Sequence, residues 1–326
     1  MSCKKVTITD VARHAGVSRA MVSYVLSKGD NSPASAVTRE KVLASARALG
    51  YRCNQAARSL RCGNTRTIGM IFPELRLYLY DLVIEAGKSF RKRGYTLIYN
   101  FFERKAGYDS EFASAFDWQM QINVDAIITP SYRCVPENCN IPVIVWDNNV
   151  ANHDCVFFDK VDFGHDVIDR VLSRGYEKVA VCGRLSDIRY QAMREELKTH
   201  NKDFFAEFHI DPTENLPLSG IMAVNEIARM KERPDVLICH EDEMALPAMK
   251  AALDLGIKIP EELAVVSIGN SPMRMIITPS LATYSIDSHR IAEDLAEVTL
   301  NRLRNPDLPL QKRSVKTSFV PGCSLK

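Results

Sequence analysis

The chain has 326 residues, of which 46% are hydrophobic and 25% are charged, and its formal net charge is +2. This length gives room for more than one globular domain, and no apolar run is long enough to cross a bilayer, which excludes a membrane-spanning protein. No secretory signal follows Met1, and the nine Cys are scattered as in reduced proteins, so we expect a cytoplasmic location.

The charge is distributed unevenly along the chain. Residues 1–63 contain eleven Lys or Arg against three Asp or Glu, a net charge of +8, whereas the remaining residues contain 31 basic and 37 acidic side chains, a net charge of −6. A basic segment joined to a mildly acidic body indicates that a polyanion is bound at the start of the chain.

Two short helices are predicted on either side of Gly16. Thr7 caps the first, with Asp10 three residues later as in a capping box, and Ser18 caps the second. In the second helix Val22, Val25 and Leu26 face inward at helical spacing, while Arg19, Ala20, Ser23 and Tyr24 share the other face. This arrangement is typical of a helix-turn-helix whose second helix reads DNA.

A third helix, capped by Ser35 or Thr38 and ended by Gly50, completes a small core. The segment 51–61 has good helical propensity but few apolar residues, so we expect it to become ordered only on docking. We therefore predict an all-α DNA-binding head over residues 1–53, a hinge helix and linker over 54–65, and a body over 66–326.

The body alternates between apolar strands and amphipathic helices, which predicts parallel sheets covered by helices. Two runs of this pattern, interrupted by an irregular piece near residues 150–160, predict two doubly wound lobes with ligands bound beyond the carboxyl ends of the strands. Strands are predicted at 67–72, 95–101, 126–129, 143–146, 178–182, 204–208, 236–239, 264–268, 283–285 and 315–319. Helices are predicted at 77–93, 109–121, 163–174, 188–199, 220–231, 244–255 and 288–303.

The sequence lacks the motifs of common enzyme and metal sites. The chain has no Gly-x-Ser-x-Gly elbow, phosphate loop, His-Glu-x-x-His helix or dinucleotide fingerprint. Cys134 and Cys139 form the closest Cys pair but have no further Cys or His at zinc spacing. We therefore expect no enzyme activity, no catalytic residues, no metal and no cofactor.

The start of the chain resembles the lactose-repressor (LacI/GalR) family of bacterial transcription regulators. The resemblance rests on residues 6–12, 15–18, 38–42 and 50–51, with Asn54, Ala57 and Leu60, in order over about sixty residues. It implies that Arg19 and Ala20 read bases in the major groove and that Leu60 wedges into the minor groove. The DNA-binding residues then expected are Thr7, Thr9, Ser18, Arg19, Ala20, Met21, Ser23, Tyr24, Thr38, Asn54, Ala57 and Leu60.

Two departures from the family pattern concern the operator that is read. Cys53 stands where the family usually has Pro, and Tyr24 stands where Arg is common. Without Pro at position 53, the backbone at the start of the hinge helix is less fixed. With Tyr24 in place of Arg, a phenol replaces a side chain that reads guanine through two hydrogen bonds. We therefore expect an atypical operator.

The body is similar to the periplasmic-binding-protein-like (type I) core of the same family, which implies a small effector, a sugar or related metabolite, between the lobes. It also implies that the chain crosses between the lobes three times, with the last long helix in the first lobe and the final strand in the second. Asp147 and Arg189 match the family's pocket residues, and each has a simpler explanation as a helix cap or a solvated charge. Glu241 and Gly269 replace the usual Asn and acidic residue, which weakens the sugar interpretation. The effector-binding residues expected are Tyr78, Asp147, Arg189, Glu241 and Gly269.

Several functional hypotheses remain open at this point. The first is a dimeric repressor that binds a palindromic operator under effector control, with the helix at 77–93 in the dimer interface. No leucine heptads follow the last strand, so a tetramer through a coiled coil is not expected. The alternatives are a regulator controlled by a protein partner or by abundance, and a solute-binding protein. Tyr78, Tyr80 and Trp146 either stack on a ligand ring or belong to the core or a dimer surface.

The hinge leucine generates the first testable prediction. Leu60→Ser should weaken binding to the specific operator while leaving binding to unrelated duplexes nearly unchanged, because the wedge acts only where a base step is kinked. Fluorescence anisotropy on both duplexes at fixed salt measures this. Equal loss on the two duplexes would contradict the hinge role.

Overall fold

The computed structural model describes residues 6–28, 34–51, 64–102, 108–209 and 216–326. The chain divides into two compact units, Met1–Thr65 and Arg66–Lys326. None of the helices within the described ranges is both long and apolar enough to cross a membrane. The predicted hinge residues Cys53, Asn54, Ala57 and Leu60 lie outside these ranges.

The first unit contains helices α1 (Ile8–Ala15), α2 (Arg19–Lys28) and α3 (Ala36–Ala48). Thr7 and Asp10 form the predicted capping box, and Gly16 ends α1 in the left-handed conformation at φ +63°. Ser35, rather than Thr38, caps α3, since its side chain accepts from the Thr38 backbone N–H at 3.2 Å. The three helices bury a small core of Val11, Ala12, Ala15, Val22, Val25, Val42 and Ala46.

The second unit contains two α/β lobes, as predicted. Within the described residues each lobe has a six-stranded sheet, ordered β11-β5-β4-β3-β1-β2 in the first lobe and β12-β10-β9-β8-β6-β7 in the second. The strands are β1 (Thr67–Pro73), β2 (Thr96–Phe102), β3 (Ala126–Thr129), β4 (Val143–Trp146), β5 (Asp154–Phe158), β6 (Val179–Gly183), β7 (Ala206–His209), β8 (Val236–Cys239), β9 (Ala264–Ile268), β10 (Ala282–Ile286), β11 (Lys312–Val315) and β12 (Thr317–Val320).

The helices between the strands cover both sheets, and two 3₁₀ turns follow β3 and β9. They are α4 (Leu79–Lys92), α5 (Tyr108–Gln121), α6 (Lys160–Leu172), α7 (Ile188–Thr199), α8 (Leu216–Arg229), α9 (Asp242–Asp254) and α10 (Ser288–Arg304). The strands pair in parallel except for β12, which runs antiparallel to β10. The central strands of both sheets are buried and mostly apolar, apart from Thr129, Ser267 and Thr283, as expected for parallel strands covered on both faces.

Two features differ from the sequence prediction. The supposedly irregular piece contains β5, whose Asp154–Phe158 run begins with a buried Asp and is too short to show a clear period. The single strand predicted at 315–319 is two strands, because the chain leaves the first sheet at Val315 and enters the second at Thr317. This junction is the third of the crossings expected between the lobes, and α10 lies in the first lobe as predicted.

A buried ion pair links β5 to α10. Arg302 donates to both carboxylate oxygens of Asp154, at 2.7 and 2.9 Å, and also to the carbonyls of Pro306, Leu308 and Pro309. Burial alone would raise the pKa of Asp154, but the hydrogen bonds from Arg302 and the Gln311 backbone lower it. Arg302 is therefore the main group that stabilises the ionised form of Asp154.

Removal of Arg302 tests this dependence. Arg302→Met should lower the free energy of unfolding by about 3–5 kcal/mol, because a buried carboxylate is left without its cation. Urea unfolding of the full chain measures the loss. The double variant Arg302→Met/Asp154→Leu should recover part of it, and a single-variant loss below about 1 kcal/mol would contradict the argument.

Candidate functional sites: a DNA-reading head and an interlobe cavity

Helix α2 presents the face that was predicted to read DNA. Val22 and Val25 are buried against the other two helices, whereas Arg19 and Ala20 are exposed and Tyr24 is 42% exposed. The Ser18 side chain accepts a hydrogen bond from the Met21 backbone N–H at 3.1 Å and so caps the helix. The N-terminal end of α2 is thus rigid and leaves small and cationic side chains open to a partner.

The other predicted DNA-binding residues of the head are half-buried or form hydrogen bonds at the starts of helices. Thr9, Met21 and Ser23 are half-buried. The Thr7 hydroxyl donates to the carboxylate of Asp10 at 2.7 Å, and the Thr38 hydroxyl lies 2.9 Å from that of Ser35. Thr7 and Thr38 therefore have structural roles at helix starts, and a contact to DNA from either of them remains a prediction.

The five predicted effector residues line a single cavity of about 200 Å³ between the carboxyl ends of the two sheets. Tyr78 and Asp147 come from the first lobe, and Arg189, Glu241 and Gly269 come from the second. The cavity is also lined by Phe72, Pro73, Arg76, Leu79, Pro130, Trp146, Asn148, Phe158, Lys160, Arg184, Asp187, Ile268 and Ile286. The topological rule that places ligands at strand ends therefore identifies this cavity as the candidate effector site.

Asp147 follows β4 with φ +69°, which aims its side chain into the cavity region. Its Oδ2 accepts from Lys160 Nζ at 3.0 Å, and Lys160 also donates to the Asp147 carbonyl at 2.7 Å. Asp159, and not Asp147, caps the neighbouring helix α6. Asp147 is therefore no helix cap, and its buried Oδ1 has no hydrogen-bond partner among the described residues.

Arg189 is buried, so it is not the solvated charge that was the simpler explanation. It donates to both oxygens of Asp187, each at 3.0 Å, and to the carbonyl of His240 at 3.0 Å. Although burial opposes the charged forms, the mutual attraction keeps the pKa of Asp187 well below its usual range and raises that of Arg189. The Arg189–Asp187 ion pair therefore has a fixed orientation at the second-lobe wall of the cavity.

His240, between β8 and α9, lies behind this pair. Burial, together with the charge of Arg189, lowers the pKa of His240 to about 3, so the imidazole is neutral at physiological pH. Neither ring nitrogen has a hydrogen-bond partner among the described residues. A Cβ on Gly183 would approach the ring within 2.2 Å, so a glycine is needed at the end of β6.

Glu241 is the most unusual group in the cavity. Its Oε2 is buried and has no hydrogen-bond partner among the described residues. Burial raises the pKa of Glu241, and the nearby charges of Arg76 and Arg189 oppose this without cancelling it. The carboxylate therefore lies buried at the cavity wall with one oxygen left without a hydrogen bond from the described residues.

Gly269 follows β9 at φ +144°, a conformation that L side chains rarely adopt. A Cβ there would lie 3.2 Å from the carboxylate of Asp242. That carboxylate is satisfied within its own lobe, because it accepts from Ser267, Thr283 and the backbone of Ser271 at 2.5–2.7 Å. Asp242 is thus structural and occupies the space in front of Gly269.

Aromatic side chains form one part of the cavity wall. Trp146 is 1% exposed and Tyr78 is half-buried, and both line the cavity. Burial and the charge of Asp147 raise the pKa of Tyr78 well above its ordinary value, so the phenol stays protonated. Tyr80 is 56% exposed and is not part of the lining, so it is not in position to stack on a ligand there.

Contacts between the lobes flank the cavity. Arg76, after β1, lies 3.4 Å from the carboxylate of Glu243 in α9, which also accepts from the Leu77 backbone N–H at 2.5 Å. Lys160 and Asp147 form the second bridge, since α6 belongs to the second lobe and β4 to the first. Sequence reasoning missed Arg76, Lys160 and Asp187, and only Asp187 could have been found, from its position two residues before Arg189.

A candidate cation-binding cluster lies elsewhere, at the surface between α6 and α7. Asp169, Glu196 and His200 place one ligand atom each within 4.8 Å of one another, and no metal had been expected from the sequence. His165 donates or accepts at 2.6 Å from Glu196, and His200 lies 3.2 Å from Asp169. These pairings explain the cluster as ion pairs between two packed helices.

The unsatisfied Glu241 generates a stability prediction. Glu241→Gln should raise the free energy of unfolding of the ligand-free protein by about 1–2 kcal/mol, since a neutral amide costs less to bury. Because the folded-state pKa is raised, wild-type stability falls as pH rises above the unfolded-state pKa of Glu, so the gain should be larger at pH 8 than at pH 5. Urea unfolding at both pH values measures this gain in the free energy of unfolding. A gain at pH 8 that is no larger than the gain at pH 5 would contradict the conclusion that the Glu241 carboxylate is buried and unsatisfied.

Comparison with known proteins identifies the domain types of the head and of the body. Residues 7–54 match the model for bacterial regulatory proteins of the lacI family, and residues 168–325 match that for a periplasmic-binding-protein-like domain. The HTH-type transcriptional repressor PurR of Vibrio atlanticus is 28% identical over 315 residues, covering 92% of this chain and 93% of the relative. PurR of Photorhabdus laumondii is 29% identical over 317 residues, covering 92% and 91%.

Solved structures show the same fold. The lac repressor dimer bound to operator and the anti-inducer ONPF has a TM-score of 0.84 at 21% identity, covering 98% of this chain and 99% of that one. A complex of the transcriptional regulator CelR with cellobiose has a TM-score of 0.68 at 20% identity, covering 98% and 100%. Because a lacI-type head precedes a periplasmic-binding-protein-like body, and full-length relatives are transcriptional repressors, the chain belongs to the lactose-repressor family of DNA-binding transcription regulators.

Proposed function

We propose that this regulator is a dimeric repressor that binds a palindromic operator and releases or tightens its hold when a small polar effector binds between the lobes. The observation that carries the proposal is the interlobe cavity, in which polar side chains from both lobes converge. Two carboxylate oxygens there, on Asp147 and Glu241, have no hydrogen-bond partner in the part of the chain that the structure describes. Buried polar atoms of this kind are costly unless a ligand completes them. A regulator works where the chromosome is, so we infer a cytoplasmic location and no catalytic step.

DNA recognition is assigned to the exposed face of α2. Arg19 and Ala20 stand at its N-terminal end, where a recognition helix enters the major groove, and Ser23 and Tyr24 lie on the adjoining surface. Leu60, Ala57 and Asn54 keep their proposed hinge roles. The fixed cap at Ser18 means that Arg19 is presented from a rigid backbone, which favours base readout over a loose phosphate contact.

The proposed dimer uses surfaces of both lobes. On and before α4, Leu77, Tyr80 and Ile84 are 40–56% exposed, which supports the predicted involvement of this helix. The second lobe exposes a matching set of large apolar side chains, Leu218, Met222, Leu255, Met273, Met275 and Ile276. Apolar exposure of this extent is typical of interfaces, and the related lac repressor structure is a dimer.

Effector control is proposed to act through lobe closure. Asp147–Lys160 and Arg76–Glu243 link the lobes beside the cavity, and a ligand that contacts Asp147 competes with or reinforces these links. A ligand shifts such an equilibrium only by its differential affinity for the two arrangements. The same bridges support the second candidate function, a regulator without small-molecule control, because they hold the lobes together with no ligand.

Recognition by α2 is tested with Arg19→Ala. The variant should lose about 1–3 kcal/mol of discrimination at one or two operator positions, because a guanidinium that reads a base edge is removed. Selection of duplexes from a random library, followed by sequencing, measures the base preferences of both proteins. Arg47→Ala, which removes an exposed arginine paired with Glu40 in α3, is the matched control. Unchanged preferences with Arg19→Ala would make it a phosphate contact.

Effector control is tested on the operator that this selection yields. Operator affinity is measured by anisotropy with a panel of sugars, amino sugars, nucleosides and amino acids. At least one compound should change Kd about fivefold or more, and Asp147→Ala should abolish the response whereas Asp117→Ala, at an exposed site on α5, should not. No response to any compound would favour the second candidate.

A further inference from the structure

Glu241 differs from the other carboxylates that line the cavity. Asp187 is neutralised by Arg189, and Asp147 is paired with Lys160 through Oδ2. For Glu241, by contrast, no hydrogen bond or ion pair is found among the described residues. It stands at the start of α9 at φ −150°, as the N-cap residue, yet its side chain makes no capping hydrogen bond. The Glu241 carboxylate therefore does not stabilise the start of its own helix, and it is available to bind a ligand.

Within the described residues no cationic side chain forms a hydrogen bond or ion pair with Glu241, although the charges of Arg76, Arg189 and Arg184 oppose the rise in its pKa that burial causes. Arg76 is bound by Glu74 at 2.6 Å and by Glu243 at 3.4 Å. The cavity lining carries three carboxylates, on Asp147, Asp187 and Glu241, and four cationic side chains, on Arg76, Lys160, Arg184 and Arg189. Three of these cations, Arg76, Lys160 and Arg189, form ion pairs with carboxylates other than Glu241.

A second free acceptor faces Glu241 from the other lobe. Asp147 Oδ1 is buried and has no partner among the described residues, although Oδ2 is bound by Lys160. Ionised carboxylates only accept hydrogen bonds. A ligand that bridges the lobes must therefore donate at both ends, and the end at Glu241 must also offset a charge.

We propose that the effector is a small polyhydroxylated amine, with an amino sugar as its simplest form, whose ammonium group binds Glu241 and whose hydroxyl groups donate to Asp147. This inference rests on the effector role of the cavity proposed above. The cavity of about 200 Å³ is of the right order for one sugar ring, and it shares Asp147, Lys160 and Asp187 with a larger neighbouring cleft of about 1310 Å³. The aromatic wall of Tyr78 and Trp146 offers an apolar surface for the face of that ring.

Neutral and anionic ligands satisfy the site less well. A neutral sugar donates to both carboxylates but leaves the charge of Glu241 buried, which is costly. An anion such as a sugar phosphate adds a charge of the same sign as Glu241 and Asp147. A protonated amine forms a charge-assisted hydrogen bond, about twice as strong as a neutral one.

The test compares matched pairs of compounds on the full-length dimer. Glucosamine, galactosamine and mannosamine are titrated calorimetrically against glucose, galactose, mannose and their 6-phosphates at pH 7. At least one amino sugar should bind about tenfold or more tightly than its neutral counterpart. Glu241→Gln should reduce or reverse this preference, while the exposed Glu137→Gln should leave it unchanged. Urea unfolding confirms that both variants are folded.

The remaining outcomes separate this inference from the proposed function. If a neutral or phosphorylated sugar binds as well as its amine, or if Glu241→Gln leaves the amine preference unchanged, the amine assignment is wrong although the cavity remains an effector site. If no amino sugar binds, the amine assignment is likewise overturned, and the operator response to the wider panel then decides separately whether the cavity binds any effector.

Discussion

The three crossings between the lobes are the constraint on which the body depends. The chain passes from β5 to α6, from β10 to α10 and from β11 to β12, so both sheets meet at the ends of those strands. Parallel strands bring their carboxyl ends to one edge, and the crossings hold the two edges opposite each other. Asp147 after β4 and Glu241 after β8 consequently line one cavity, although the 93 residues 148–240 lie between them in the chain. The cavity thus follows from the topology rather than from any local motif.

Buried charge gives the second-lobe wall its rigidity. Arg189 holds Asp187 and the His240 carbonyl, and the imidazole behind them stays neutral. A buried pair of this kind adds little net stability, but loss of either member leaves an uncompensated charge. The Arg189–Asp187 pair therefore fixes the positions of these two side chains at the second-lobe wall of the cavity. Asp154 and Arg302 do the same for the first lobe, where they tie β5 to α10 and to the loop before β11.

Local patterns predicted much of the fold and part of the site. The capping box of Thr7 and Asp10, the Gly16 turn and most strand positions follow from short-range chemistry. β5 escaped prediction because a five-residue strand that begins with a buried Asp has no clear hydrophobic period, and the β11–β12 junction looked like one strand. Tyr78, Asp147, Arg189, Glu241 and Gly269 were brought together by family resemblance. The bridge from Lys160 to Asp147 was not predictable, because it forms between lobes whose relative placement no local pattern encodes.

The position of Glu241 in the cavity wall follows from contacts that connect Gly269, Asp242 and the start of α9. With glycine at the end of β9, the adjacent space is taken by Asp242, whose carboxylate is fully occupied by Ser267, Ser271 and Thr283. That network fixes the start of α9, and with it the backbone of Glu241, whose own Oε2 has no hydrogen bond from the residues that the structure describes. Glu241 therefore has a fixed position, and its burial without a hydrogen bond to Oε2 costs free energy. The charge of a ligand contributes most to binding at a preorganised group of this kind.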